Sequence, residues 1–538
     1  MSNIIKLLDC TLRDGAYVTE SYFGTPTIRG IIKKMQDAQV DIIECGWMKD
    51  TAHKEGTSFF HYPDDIKKYL PPKNKNVSFV AMIDWDRYDV ENLSEYDGKT
   101  IDAIRIVFPY GRYKEGIRVG KKIREKGYQV LFQAANTLAY SDCELLELAE
   151  SMNEFKPKSV SVVDTFGAMY FDDLGHIVEI LDGNLDSNIE LGFHAHNNQQ
   201  LAFALCIYFI EKLADSKRNI IIDSTLSGMG RGAGNATTEL VSNYLNRKCH
   251  GNYDMNAVMD AIDIYMEKFR KKFSWGYSIP YFIAGIHQCH VNNINYLLKN
   301  HRTSNRDMCN IIESLSQEDR RQYDYNLLES HYMENQNRII DDSRAIEQLR
   351  KILENRKVLL LAPGKSLDIE EEKIKVFIRK NNPVVIAVNA FNPKYQYDFI
   401  FFTNVARYEY ARVAYPVQFA DTKKILLSNI KTEGDFDEKI INFNLVVKRG
   451  WKHFDNAVIL CLRMMNKLKV SDIYLAGFDG FKTKYSESYS DANLPALNSD
   501  DNWDKLNEEI RDMYEDFVIS VHDRMKITFL TNSVYELK

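Results

Sequence analysis

Cysteine is scarce and scattered. There are eight in 538 residues, and none are paired at the short spacing of a zinc ribbon or a disulfide framework. The thiols are expected to be buried and reduced. An excess of either charge is also missing. Lys and Arg number 69 against 76 Asp and Glu, a formal charge of -7. No concentrated basic tract is present, which argues against a nucleic-acid partner. No apolar run is long enough to span a bilayer. Met1-Ser2-Asn3-Ile4-Ile5-Lys6 lacks the apolar segment and small-residue cleavage site of a signal peptide. The expectation is a soluble, cytoplasmic protein. Gly/Ser-rich linkers, internal repeats and low-complexity tracts are absent as well. Length excludes a single hydrophobic core and implies at least two domains.

What is present is a regular beat of short apolar runs. Ile4–Asp9, Val40–Cys45, Val77–Ile83, Ala103–Phe108, Val130–Ala135, Ser159–Val163, Ile189–His194 and Ile220–Leu226 are rich in Ile and Val and do not alternate. They read as parallel strands covered on both faces. Segments with helical spacing separate them, such as Thr27–Gln36 and Cys143–Met152. Eight strands alternating with helices predict a (β/α)8 TIM barrel, with an open doubly wound sheet as the competitor. The pattern stays helical to about residue 300, through the aromatic-rich turn Trp275-Gly276-Tyr277. Residues 301–356 read as a polar helical connector that packs on the barrel. At Lys357 the pattern resets into strands at Val358–Ala362, Val384–Val388, Phe399–Phe402, Lys424–Leu427, Ile473–Ala476 and Ile527–Leu530. The expected domains are therefore 1–300, a connector at 301–356, and a smaller Rossmann-like three-layer α/β domain at 357–538.

In a parallel barrel, chemistry sits at the carboxyl ends of the strands. Arg13 and Asp14 follow the first strand. His194 and His196 end the seventh, and their spacing of two turns both imidazoles to one side. One carboxylate and two imidazoles suit a divalent cation and leave coordination positions open. The eighth strand runs into Ser227-Gly228-Met229-Gly230-Arg231-Gly232-Ala233-Gly234-Asn235. Four glycines between positions 228 and 234 allow close backbone approach, at a position where barrels often bind anions. Asn235 is read either as the cap of the next helix or as a group facing the metal. Glu44 and Asp164, at the ends of strands two and six, are candidates for substrate contact or for supporting the site. Asp84, Arg105, Gln133 and Thr165 are expected to play structural roles.

These motifs carry a resemblance. Thr11-Leu12-Arg13-Asp14-Gly15, Gly192-Phe193-His194-Ala195-His196-Asn197-Asn198 and Gly230-Arg231-Gly232-Ala233-Gly234-Asn235 resemble the three signatures of the DRE-TIM metallolyases, and most closely the 4-hydroxy-2-oxovalerate aldolase branch. The resemblance covers roughly residues 1–300. It implies a carbon–carbon lyase acting through a pyruvate enolate. Mn2+ or Mg2+ would be held by Asp14, His194 and His196, with Arg13 at the developing charge and a 2-oxo acid and an aldehyde as partners. It also implies a substrate-pocket tyrosine at Tyr277, and a homo-oligomer is expected. Where that branch carries a histidine base, this chain has Tyr17, a poor base at an ordinary pKa near 10. Tyr17 is therefore expected to orient substrate while another group or water moves the proton. His53 and His61 are weaker substitutes. Alternative readings are an acyl-CoA Claisen condensation, a non-heme Fe(II) oxygenase, and a catalytically altered barrel that scaffolds the second domain.

In the C-terminal part, Ala362-Pro363-Gly364-Lys365-Ser366-Leu367 joins a strand to a helix. Its amides could face a phosphate, although the spacing is not that of a P-loop. The region is loosely similar to sialyltransferase-like and motility-accessory glycosyltransferase domains. That similarity implies a nucleotide or nucleotide-sugar ligand and a role in surface-polysaccharide metabolism, with Asn404 and Asp479 the residues of interest.

Overall fold

The computed structural model describes residues 4–74, 76–301, 303–431, 438–482, 485–495, 502–521 and 523–537. The chain divides into two compact units. The first is Met1–Ile294 with Gln317–Gln322, and the second is Asn295–Ser316 with Tyr323–Lys538. Most of the polar segment expected to pack on the barrel therefore belongs to the second unit.

The first unit is a closed parallel barrel. Its strands are β1 (Ile5–Asp9), β2 (Ile42–Met48), β3 (Ser78–Asp84), β4 (Ala103–Phe108), β5 (Gln129–Ala134), β6 (Ser159–Asp164), β7 (Glu190–Ala195) and β8 (Ile220–Ser224). Each pairs with the next, and β1 pairs with both β2 and β8. A two-residue strand, Phe59–Phe60, lies beside the end of β2. The covering helices follow the apolar spacing of the sequence. Thr25–Asp37 buries Ile28, Ile31, Ile32 and Met35. Asp142–Phe155 starts on a Ser141–Glu144 capping box, which satisfies its first amides, and buries Leu145, Leu148 and Met152.

The barrel interior is layered. Leu8, Ile42, Val80, Ala103, Leu131 and Ile221 plug it with apolar side chains. Strand residues two positions further along, pointing to the same side, then form a fully buried polar layer of Glu44, Arg105 and Asp223. Buried ions persist only when paired. Arg105 is the shared partner, with Nη1 3.0 Å from Glu44 Oε2 and Nη2 hydrogen-bonded to Asp223. The site is built on this layer.

The second unit is a seven-stranded parallel sheet of β9 (Lys357–Leu361), β10 (Val384–Val388), β11 (Phe399–Phe402), β12 (Lys423–Leu427), β13 (Lys439–Ile441), β14 (Asp472–Ala476) and β15 (Lys526–Phe529). The order is β13-β12-β11-β10-β9-β14-β15. The chain winds outward from β9 to β13, then returns to the other side of β9. This is a doubly wound α/β sheet whose direction switches at β9 and β14. The three-residue edge strand β13 is too short for its apolar run to announce.

Candidate metal centre and catalytic pocket

β1 ends in the buried carboxylate of Asp9, which accepts hydrogen bonds from Thr11 N, Thr11 Oγ1 and Thr238 Oγ1 at 3.1, 3.0 and 2.7 Å. These contacts fold Thr11–Asp14 into one helical turn, so Arg13 and Asp14 project over the barrel mouth. His194 is on β7 and His196 one residue beyond it, with Ala195 turned into the core. The two rings meet edge to face at 4.9 Å. Asp14 Oδ2 lies 3.5 Å from His194 Nε2 and 3.7 Å from His196 Nε2. One donor atom from each of the three residues falls within 4.8 Å of the others.

Each imidazole is oriented from behind. His194 Nδ1 is 3.0 Å from Asp223 Oδ2, and His196 Nδ1 donates to the backbone oxygen of Asp164 at 2.9 Å. Both contacts leave Nε2 facing Asp14, the arrangement that fixes the tautomer of a metal-ligating histidine. Both Asp14 carboxylate oxygens and His194 Nε2 are buried without a hydrogen-bond partner. So is Oδ1 of Asn235, whose Nδ2 donates to Met229 O at 3.2 Å. A Cβ on Gly230 would fall 2.2 Å from Asn235 Nδ2 and 3.5 Å from the Asp14 carboxyl carbon. The missing side chain is thus what lets Asn235 sit against Asp14. Buried polar atoms left unsatisfied are costly, and a divalent cation would satisfy those of Asp14 and His194. The donor set of Asp14, His194 and His196 fits such an ion. Cys10, His194 and Asp223 also lie close together. That group does not fit an ion, because burial pushes the Cys10 thiol well up and Arg105 already neutralises Asp223.

Electrostatics set the two imidazoles apart: burial pulls His194 down, but Asp14 and Asp223 outweigh it and raise it above its ordinary value. Burial pushes the Asp14 carboxyl up, but Arg13 and the two imidazoles outweigh it and hold it well below the usual carboxylate range. Burial lowers His196 to about 4, helped by His194. His196 is therefore neutral and has a lone pair to offer. Arg13 lines the same cavity, with Nε bound to Glu44 Oε2 at 2.8 Å and Nη1 3.4 Å from Asp14 Oδ1.

The cavity above the triad is lined by Arg13, Tyr17, Asp84, Gln133, His194, His196, Asn198, Arg231 and His290 among others. Glu44 lies beneath it, shared by Arg13 and Arg105, because β2 alternation aims it into the polar layer. Asp164 also points away from the cavity. Its carboxylate accepts from Ala168 N and Met169 N at 2.8 and 3.2 Å, and burial raises it to about 7. Tyr277 is 56% exposed and does not line the cavity. The neighbouring Trp275 is what the turn inserts, donating from Nε1 to Ser227 O at 3.0 Å. Asn235 does not cap the next helix; Thr237 precedes Thr238–Lys248. Tyr17 is 44% exposed but lines the cavity, where its phenol is raised by partial desolvation despite Arg231 and Arg13 and stays protonated at neutral pH. His53 is held by Phe59 O and Tyr69 Oη, and His61 by Lys49 O.

Within the glycine-rich loop, the amides of Gly228, Met229, Ala233, Gly234 and Asn235 all donate to protein oxygens. The glycines serve tight packing: at Gly234, φ is +83° and a Cβ would meet Gly228 O at 1.9 Å. Arg231, Asn198 and His290 are pocket residues that strand reading missed. His290 comes from the helical segment after the barrel and carries no sequence signal. Asn198 follows the His-X-His pair, and Arg231 lies inside the glycine motif.

Known proteins match this half of the chain. Residues 113–264 match the HMGL-like family model, a span that holds both histidines and Asn235 but not Arg13 or Asp14. Oxaloacetate decarboxylase of Mycobacterium tuberculosis is 26% identical over 47% of this chain and 74% of its own length. The 4-hydroxy-2-oxovalerate aldolase of Thermomicrobium roseum is 27% identical over 48% of this chain and 71% of its own. Among solved structures, the N-terminal domain of a candidate aldolase from Bacteroides vulgatus is 26% identical. It covers 54% of this chain and 95% of its own, with a TM-score of 0.47. The N-terminal barrel carries an HMGL-like domain of the DRE-TIM metallolyase superfamily.

Proposed function

We propose that the barrel is a divalent-metal-dependent aldolase that makes or cleaves a 4-hydroxy-2-oxo acid through a pyruvate enolate. The observation that carries this reading is the gathering of Asp14, His194 and His196 donor atoms within 4.8 Å of one another, those of Asp14 and His194 without a hydrogen-bond partner, with Arg13 beside them. Asp14, His194, His196 and Asn235 would hold Mn2+ or Mg2+. The ion would supply Lewis-acid polarisation of the 2-oxo acid. In the cleavage direction the C4 hydroxyl loses its proton, the C3–C4 bond breaks, and the electron pair passes to the enolate oxygen. A proton returned to C3 then gives pyruvate. Arg13 is tied to Glu44 and cannot swing away, so its charge is preorganised where the enolate oxygen develops. Tyr17, held as a neutral phenol, donates a hydrogen bond and does not act as the base.

Proton exchange at the pyruvate methyl group in D2O, followed by NMR with Mn2+ and with chelator, tests this directly. Metal-dependent exchange, and aldol products by mass spectrometry with an aldehyde panel, are expected. No exchange under any metal condition overturns the reading. The similarity to an oxaloacetate decarboxylase favours a second route to the same enolate, loss of CO2 from a 2-oxo acid that carries a carboxylate on C3, which CO2 release would detect.

For the second unit we propose a nucleotide or nucleotide-sugar site in the crevice where the winding of the sheet reverses. Such crevices bind ligands outside the carboxyl ends of the strands. This one is lined by Asn389, Asn404, Arg407, Asp479, Phe481 and Tyr489 among others. The Pro363–Ser366 turn is not a phosphate cradle, because the Ser366 amide already donates to Asp479 Oδ2 at 2.7 Å. Calorimetry with uridine and cytidine diphosphates is expected to show binding that is weakened in Asn404→Ala. No binding of either overturns this site. The surface-polysaccharide role rests on the sequence resemblance alone.

A further inference from the structure

Three arginines line the barrel cavity, apart from its metal ligands, and two of them are already neutralised. Arg13 lies against Asp14 and Glu44. Arg87 Nε lies 3.5 Å from Asp84 and 3.9 Å from Asp86. Arg231 differs. Its guanidinium lies over the Tyr17 ring at 3.8 Å, and Nη1 lies 3.1 Å from His290 Nε2. Among the described residues it has no carboxylate partner.

The Tyr17 ring and the His290 imidazole are partners without negative charge, so neither cancels the charge of the guanidinium. A partly buried guanidinium in this setting, stacked on an aromatic face, is suited to a planar carboxylate or a phosphate.

We propose that Arg231 is the specificity-determining residue for a negatively charged group, a carboxylate or phosphate, on the aldehyde half of the substrate. Tyr17 is its positioning residue, holding the guanidinium by cation–π contact. This accounts for an aromatic side chain at position 17. The proposal rests on the enolate reading, since it places a pyruvate-derived carbon at the metal end and an anionic acceptor at the Arg231 end of one cavity. No new step is added: the enolate carbon bonds to the aldehyde carbon and the aldehyde oxygen takes a proton.

Two matched aldehyde pairs form the test, each assayed with pyruvate and Mn2+. Succinic semialdehyde against butanal reads a carboxylate, and glyceraldehyde 3-phosphate against glyceraldehyde reads a phosphate. At least about a tenfold preference in kcat/KM for the anionic member of one pair is expected, the size of one charge-assisted hydrogen bond. The pair with the larger ratio identifies the group. Arg231→Gln should collapse that ratio, whereas Arg87→Gln should not. Tyr17→Leu should lower the ratio and Tyr17→Phe, which keeps the ring, should retain it. An unchanged ratio in Arg231→Gln, or a collapse in Arg87→Gln alone, overturns the proposal. Calorimetric titration of inorganic phosphate and of succinate reads the site without turnover, and equal affinity in wild type and Arg231→Gln also overturns it. Absence of pyruvate exchange in wild type instead sinks the enolate reading and the aldehyde assignment with it.

Discussion

Both units end parallel strands in polar side chains, but among the described residues only those of the barrel gather a carboxylate and two imidazoles with donor atoms within 4.8 Å of one another. At the barrel mouth, Asp14 and His194 keep buried donor atoms without a hydrogen-bond partner, beside His196. In the second unit, Asp479 at the end of β14 is spent on its own fold. It accepts from Ser366 N and Ser366 Oγ, and Thr531 Oγ1 lies 2.9 Å from the same hydroxyl. A polar residue at a strand end is therefore not by itself a site. The informative feature is a buried donor set whose remaining valence points at one place.

Four substitutions would break or sharpen this contrast. The largest effect is expected for His194→Ala, which removes a ligand. Bound Mn2+ by atomic spectroscopy should fall to background and pyruvate exchange should drop by roughly 10^3 or more, with the circular dichroism spectrum retained. Next, Arg13→Lys should keep the metal but lose about 10^2–10^3 in rate, because a point charge cannot hold Glu44 and also serve the enolate. Full activity there would show that the guanidinium is only structural. Asp223→Asn should weaken metal affinity by about 10–100-fold, by releasing the His194 ring from the orientation its Nδ1 contact sets; affinity is read by competition with a chelator. The smallest functional effect belongs to the second unit. Asp479→Ala should destabilise it by about 1–3 kcal/mol, the cost of leaving the Ser366 donors unpaired, with pyruvate exchange by the barrel unaltered. A change in exchange there would mean that the contrast between the units is drawn wrongly.

Much of the architecture was legible in the order of the residues. Eight Ile/Val-rich runs separated by helical spacing are the arithmetic of a closed parallel barrel, because parallel strands buried on both faces read as near-continuous apolar runs. β13 was not legible, since three residues carry no period. Among site residues, Arg13, Asp14, His194 and His196 stand in dense local motifs and could be named from spacing. Glu44 and Asp164 also occupy strand ends, but whether such a carboxylate faces ligand or protein depends on neighbours far along the chain. Glu44 meets Arg105, and Asp164 meets the amides of Ala168 and Met169. Tyr277 was assigned by motif, yet Trp275 is the side chain that the turn inserts, because its indole finds Ser227 O.

The sequence by itself determined the strand count, the helical faces and the kind of donor atoms available, because these follow from local periodicity and side-chain chemistry. Tertiary structure decided which donors remained open. Closure of the barrel brings β1 beside β8, and with them Asp14 to two imidazoles and to Asn235. It also faces Arg231 with a histidine from outside the barrel and, among the described residues, no carboxylate. Pairing of charges in three dimensions consumes some polar groups and strands others, and no short window of residues records that balance.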